Sequence, residues 1–333
     1  FQSVVLPRPT PAIYRPSAGL IKVLFRACRW LALQTTSSSL RETLLGTFAP
    51  LCVVVLLLTW AFGLIVGFAL MLHGLADQIK PPLEGLGSAL YFSGVSMFTI
   101  GYGDIVATGG LTRFIAVTEG AIGMGVVAVV ITFLFTLFGA FQRREILVIK
   151  LGARAGGPPS GVALLETYAL LGMLDRLGDV FVDWETWAAE VLDSHLSYPI
   201  LGFFRSTHDN QSWISALGAV LDAATLVITT MEGVPRGHAK LMHSVGVHLV
   251  EDLGQSLGLS FERQAYVERT EFATARARLA AAGFQLCDDD ESWARFSELR
   301  ADYAGVLNSM AMQLLTPPAQ WIGDRSVVRH QRH

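Results

Sequence analysis

Twenty-six consecutive residues, Thr47 to Leu72, contain no charged side chain, and this run constrains the chain more than any other feature. At ~1.5 Å of rise per residue a helix of that length covers ~39 Å, enough to cross a ~30 Å hydrocarbon layer with some tilt. A second run, Arg113 to Phe141, holds only Glu119 as an interior charge before Arg143 and Arg144. Uncharged stretches beyond ~18 residues are rarely buried core helices, so both are read as spans, 47–72 and 113–141. Arg8, Arg15, Lys22, Arg26, Arg29 and Arg41 precede the first span against Glu42 alone. Arg143, Arg144, Lys150 and Arg154 follow the second, and only Lys80 is basic in the connection. The positive-inside bias therefore places both termini on the cytoplasmic side of the cell membrane, with residues 73–110 outside or within the bilayer.

Charge divides the chain further. Residues 1–144 hold 10 basic and 5 acidic groups, whereas residues 145–333 hold 15 basic and 23 acidic ones. Cys28, Cys52 and Cys287 fit neither a disulfide framework nor a zinc spacing. The chain begins at Phe1 rather than Met, which leaves room for a segment upstream.

Between the spans, Lys80-Pro81-Pro82 breaks the chain, and Leu86 to Met97 reads as an apolar helix too short to cross. Directly after it stands Thr99-Ile100-Gly101-Tyr102-Gly103-Asp104. Irregular backbone at membrane depth is tolerated only where protein buries it or it lines a water-filled path. Span, short helix, T-I-G-Y-G-D and span together resemble the pore module of the potassium-channel superfamily, two-transmembrane type, over about residues 40–145.

That resemblance implies a fold and a chemistry. Carbonyls of Thr99, Ile100, Gly101 and Tyr102, with the Thr99 hydroxyl, would coordinate dehydrated potassium ions, the only bound species expected; no cofactor is. One chain supplies one wall, so a homotetramer in the lipid bilayer is implied. Gly101 and Gly103 suit the backbone angles that aim successive carbonyls at one axis, and Tyr102 would then brace the filter from outside. The C-terminal end of the pore helix carries roughly half a negative charge toward the cavity below. Asp104 would add an acidic ring at the outer mouth, while Glu84 reads equally as a solvated loop charge. Tyr91 stands where many members have tryptophan and offers a hydroxyl to Asp104. Val95 stands where some have a glutamate that pairs with that aspartate.

Aligned without gaps on the filter, Gly123 falls at the family's inner-helix hinge and Gly125 loosens the helix further, though close helix packing would also explain a glycine. Met124, Val127, Ile131, Phe135 and Phe138 form the stripe expected to line the cavity, with Phe135 or Phe138 as a gate ring. Glu119, behind the filter, is expected to hydrogen-bond the pore helix at Thr118, Ser93 or Ser96 of a neighbour, or to be a purely structural carboxyl. Ahead of the first span, Leu20, Leu24 and Leu31 occupy one helical face and Lys22, Arg26 and Arg29 another, the pattern of an interfacial helix.

The fold class expected is all-α: cytoplasmic N-terminus 1–42, pore domain 43–145, a linker 146–161 centred on the Gly/Pro run, and a helical regulatory or assembly domain 162–333. Its helices are expected at 162–177, 183–195, 211–231, 238–257, 260–283 and 289–315, the third capped by Asp209 or Asn210. Trp213 to Met231 is apolar enough to span, yet Asp222 at its middle favours a buried helix. No G-x-G-x-x-G follows a strand, and no enzyme or nucleic-acid partner is expected. His195, His208, Asp209, His238, His243 and His248 are the weak metal candidates, since steps of five do not share a helical face. An unidentified cytoplasmic ligand or ion is left open, as is a membrane-tethered metal sensor or enzyme on a channel scaffold.

Overall fold

The computed structural model describes residues 16–207, 210–259 and 262–323, and the fold is all-α. The calls at His208 and Asp209 fall outside the described residues. Two units are distinguished: a membrane unit of residues 16–34 and 47–139, and a bundle unit of 35–46 and 140–323.

Helix α1 (Pro16–Gln34) precedes α2 (Ser38–His73), the short helix α3 (Leu86–Met97) and α4 (Gly110–Ala155); residues 38–46 of α2 and 140–155 of α4 belong to the bundle unit and the rest to the membrane unit. Both α2 and α4 overrun the uncharged stretches that identify them, and only 11% of the most apolar window of each is buried in the single chain. On α1 the buried face is Ile21, Phe25 and Ala32, with Phe25 edge-on to Phe48 at 5.2 Å. The expected apolar face of Leu20, Leu24 and Leu31 lies beside that stripe, and Leu31 is exposed.

One connection escapes sequence patterning. Strand β1 (Ile79–Lys80) pairs antiparallel with β2 (Val106–Ala107), two residues each, Ile79 opposite Ala107. The Gln78 carbonyl accepts from the Thr108 amide at 2.9 Å, the Thr108 hydroxyl at 2.9 Å and the Thr112 hydroxyl at 3.2 Å. Leu72, Ile79 and Phe92 form a small core there, joined by Leu83, Ile105 and Ile115. These contacts close the loop that carries residues 98–105 on both sides.

The bundle unit holds α5 (Gly161–Leu170), α6 (Leu177–Ser197), α7 (Trp213–Thr230), α8 (Gly237–Leu257), α9 (Arg269–Ala281), α10 (Asp289–Ala301) and α11 (Ala304–Leu314). Helix α7 is the centre, packed by α5, α8, α10 and α11, and every one of its residues is buried. It is long and apolar enough to cross a membrane, yet its window is 100% buried against protein, as Asp222 leads one to expect. Asp222 is neutralised by Arg300 at 2.8 Å and accepts from the Tyr303 hydroxyl at 2.7 Å. A Cβ on Gly161 would meet the Ala219 carbonyl at 2.6 Å, so α5 lies on α7 backbone to backbone.

Several boundaries differ from the sequence reading for identifiable reasons. The expected linker is helical to Ala155, because Val148, Leu151 and Ala155 continue a buried stripe at helical spacing; only Gly156 to Ser160 turn. Ser160 and Ser212 accept from the amides of Ala163 and Ile214 and cap α5 and α7, in place of the expected Asp209 or Asn210. Gly172, at φ 67°, stops the segment expected to run to 177, and residues 262–268 are not helical. The expected 289–315 helix breaks at Asp302 and Tyr303: Asp302 is drawn to Arg263 at 2.6 Å and Tyr303 is fully buried beside Asp222.

Candidate functional site

The loop after α3 is where the membrane unit departs from regular structure. Phe98 caps α3, and the Thr99 amide donates to the Ser96 carbonyl (3.0 Å) while the Ile100 amide donates to the Val95 carbonyl (2.9 Å). This pair of bonds is a Schellman closure, which places its next residue in the left-handed region, ordinarily a glycine. Here the residue is Thr99, at φ 56°. A β-branched side chain there costs about 1–3 kcal/mol, the kind of strain that concentrates at functional sites. Its hydroxyl turns back on the Phe98 carbonyl at 2.7 Å.

Left-handed angles then recur on every second residue, Gly101 at φ 63° and Gly103 at φ 80°. A Cβ at either glycine would meet nothing within 4 Å, so the requirement is conformational rather than spatial. Alternating mirror-related backbone angles turn successive carbonyls to one side of a chain. Residues 98–104 are all exposed in the single chain, Tyr102 at 70%. The Tyr91 hydroxyl donates to Asp104 Oδ2 at 2.8 Å, the bond the sequence reading anticipates. Val95 is buried on α3, and Glu84 is exposed.

Behind this loop, Ser93 and Glu119 are both 0% exposed and hydrogen-bonded to each other within one chain, rather than across to a neighbour. Ser93 Oγ also donates to the Ile65 carbonyl at 2.9 Å. Gly123 has a packing reason for its identity: a Cβ would collide with the Met97 carbonyl and approach the Met97 sulfur at 3.2 Å. At Gly125 a Cβ would meet nothing. Met124, Val127, Ile131, Phe135 and Phe138 are all exposed in the single chain, Phe135 at 77%.

Two features lay beyond sequence reasoning. The left-handed Thr99 has no residue-type signal. Arg144, counted in the sequence only as one of the basic cluster after the second apolar stretch, is buried in the bundle unit. Its guanidinium donates to Glu145 Oε1 (3.0 Å), the Leu201 carbonyl (2.9 Å) and the Phe204 carbonyl (2.7 Å), and lies 3.2 Å from His195 Nε2. The ring of Trp187 donates to the Arg144 carbonyl at 2.9 Å.

The metal candidates do not converge. His195 is buried against Arg144, and burial with that positive charge pushes it well below the usual histidine range. Buried His243 stands edge-on to Tyr303 at 5.8 Å, His238 is exposed, and His248 pairs with Asp252 at 3.6 Å. Among the described residues no group of three or more His, Cys, Asp or Glu is placed to hold a metal.

Comparison with known proteins meets this geometry at one segment. Residues 51–140 match the family described as ion channel. Over that segment the chain is similar to the ion channel family. YdjJ of Bacillus subtilis (strain 168), described as an uncharacterized membrane protein, is 25% identical over 217 residues, which cover 63% of this chain. The chain spans 61% of that relative's length. The shared region is longer than the segment that matches the ion channel family, so it reaches into sequence beyond residues 51–140. No solved structure matches the chain.

Proposed function

We propose that this protein is the subunit of a homotetrameric channel that conducts potassium passively and selectively across the cell membrane, with both termini cytoplasmic. The observation that carries the reading is the run of left-handed residues at Thr99, Gly101 and Gly103, on a T-I-G-Y-G-D sequence held between two spans. Four such strands would offer rings of carbonyls from Thr99 to Tyr102 that replace the hydration shell of a potassium ion, and Asp104, held by Tyr91, would collect cations at the outer mouth. The stripe from Met124 to Phe138 lines the cavity, with Phe135 or Phe138 as the inner constriction. Gating acts through α4, which is one uninterrupted helix from Gly110 to Ala155; the bundle regulates or assembles and does not conduct. A tenfold shift in opening needs only ~1.4 kcal/mol of differential interaction, within reach of one bundle contact.

The test is reversal potential in planar bilayers. Under a potassium gradient against sodium, current should reverse near the potassium equilibrium value, and Gly101→Ala should abolish selective current. Equal permeability to sodium sinks the assignment.

A further inference from the structure

The conduction reading leaves Glu119 unused, a carboxyl with no exposure in the middle of a span. Ser93, on α3, is in hydrogen-bonding contact with Glu119 Oε1 on α4 and with the Ile65 carbonyl on α2. A serine hydroxyl has one hydrogen to donate. Both contacts are hydrogen bonds together only when the carboxyl brings the second hydrogen: Glu119 donates to Ser93 Oγ, and Ser93 donates to Ile65. The other oxygen, Glu119 Oε2, is buried with no hydrogen-bond partner. That suits the carbonyl oxygen of a neutral acid, because half of a bare carboxylate would lie there unsolvated.

The relay sits where it can act on the filter. One turn along α4, Gly123 presses on the Met97 carbonyl at the end of α3, and Gly120 lies near Ser96. The carbonyls of Val95 and Ser96 in that same last turn hold the amides of Ile100 and Thr99. Whatever fixes α3 between α2 and α4 therefore fixes the base of the filter loop. We propose that Glu119 is a positioning residue: as a neutral acid it heads a Glu119 to Ser93 to Ile65 hydrogen-bond relay that locks the pore helix between both spans and keeps the filter in its conducting shape. This rests on the potassium-channel reading, although the relay itself is a property of the membrane unit.

Two measurements on the full chain test it. In single-channel recordings with symmetrical potassium, Glu119→Gln, whose amide can still donate to Ser93, should keep open probability within about twofold of the parent. Glu119→Leu and Ser93→Ala should each lower it about tenfold, and the double variant should be no worse than either single one. A Gln variant that fails like the Leu variant, or losses that add in the double, overturns the relay. Should the Leu variant not assemble, infrared spectroscopy of the parent and Glu119→Gln decides: the parent should show the carbonyl stretch of a protonated carboxylic acid and the Gln variant should lack it. Absence of that band in the parent overturns the proposal. Loss of potassium selectivity in the parent would instead strike the conduction reading and leave the infrared result standing.

Discussion

The two units treat apolar helices and their lone charges in opposite ways. Helices α2, α4 and α7 are each long and apolar enough to cross a membrane, though α7 is the shortest and least apolar, and α2 and α4 keep their apolar side chains on the outside of the single chain while α7 is wholly enclosed. Each of α4 and α7 has an acidic residue in its apolar stretch. Glu119 meets a serine hydroxyl one helix away, whereas Asp222 meets the guanidinium of Arg300, 78 residues on in sequence. A hydroxyl suffices for a neutral acid; a carboxylate deep in a protein core needs a full countercharge. The partner supplied to the lone charge thus separates α4 from α7 alongside the higher apolar content of α4.

The strongest way to break this comparison is to remove the countercharged acid. Asp222→Ala leaves Arg300 buried beside Tyr303 with carbonyls from Ala265 and Trp321 but no carboxylate, and should cost the bundle about 3–5 kcal/mol. Trp184, Trp187, Trp213, Trp293 and Trp321, five of the seven tryptophans, belong to the bundle, so fluorescence-detected unfolding reports the loss. Asp222→Ala combined with Arg300→Met should recover most of it. A single variant with unchanged midpoint would mean the pair is solvated.

Arg144→Ala comes next, at about 2–4 kcal/mol, since it removes a buried guanidinium from the Leu201 and Phe204 carbonyls and from Glu145. Because Arg144 belongs to the helix that also lines the proposed cavity, the variant should change open probability while unitary conductance and selectivity stay as they are. Altered selectivity would show that the bundle shapes the permeation path.

Histidine titration is smaller and separates the units by pH. His195 is held well below its ordinary value by burial and by Arg144; His243 is lowered by burial, partly offset by the Leu299 carbonyl and Asp302. His195 is neutral in the folded bundle and binds a proton near pH 6.5 when unfolded, and His243 shifts in the same direction, so the unfolded state holds more protons below that pH. Stability should be full above about pH 6.5 and fall below it, with His195 contributing up to roughly 1.4 kcal/mol per pH unit. His195→Gln should remove most of the slope between pH 6.5 and 5.5, and a flat parent midpoint over that range would contradict burial of the His195 ring.

Legibility followed the same division. The pore helix reads correctly to the residue, 86–97, because Pro81 and Pro82 before it and the motif after it leave little freedom. Glycines at 101 and 103 are visible as residue types, and so is the Tyr91 to Asp104 bond once the filter aligns the two. Thr99 is opaque because its conformation is imposed by the Schellman closure against its own preference. In the bundle the apolar helices are evident but their ends are not, since Tyr303 and the stripe through Ala155 act through tertiary partners and Ser212 competes with Asp209 and Asn210 as a cap. Burial of Arg144 is hidden for the same reason: sequence shows only a basic residue after the apolar stretch, and its Leu201, Phe204 and Glu145 partners appear only in the fold.

The smallest effect concerns helix starts, and it again sets one unit against the other. In the bundle, α7 begins with Ser212 in extended backbone, its hydroxyl accepting from the Ile214 amide at 3.2 Å, and the residue is buried. Ser212→Ala removes that acceptor from a start with no water to replace it and should cost about 1 kcal/mol, read from the unfolding midpoint, whereas Ser212→Asn should retain most of the stability. The pore helix has no comparable cap: Gly85 precedes it at φ 149° and supplies no side chain. Placing a capping residue there, Gly85→Ser, should bring no gain, because the hydroxyl arrives only with a backbone angle that residues bearing a Cβ rarely adopt. A thermal shift upward for assembled Gly85→Ser would mean that the angle relaxes freely, and that the start of the pore helix obeys the same capping rule as the bundle.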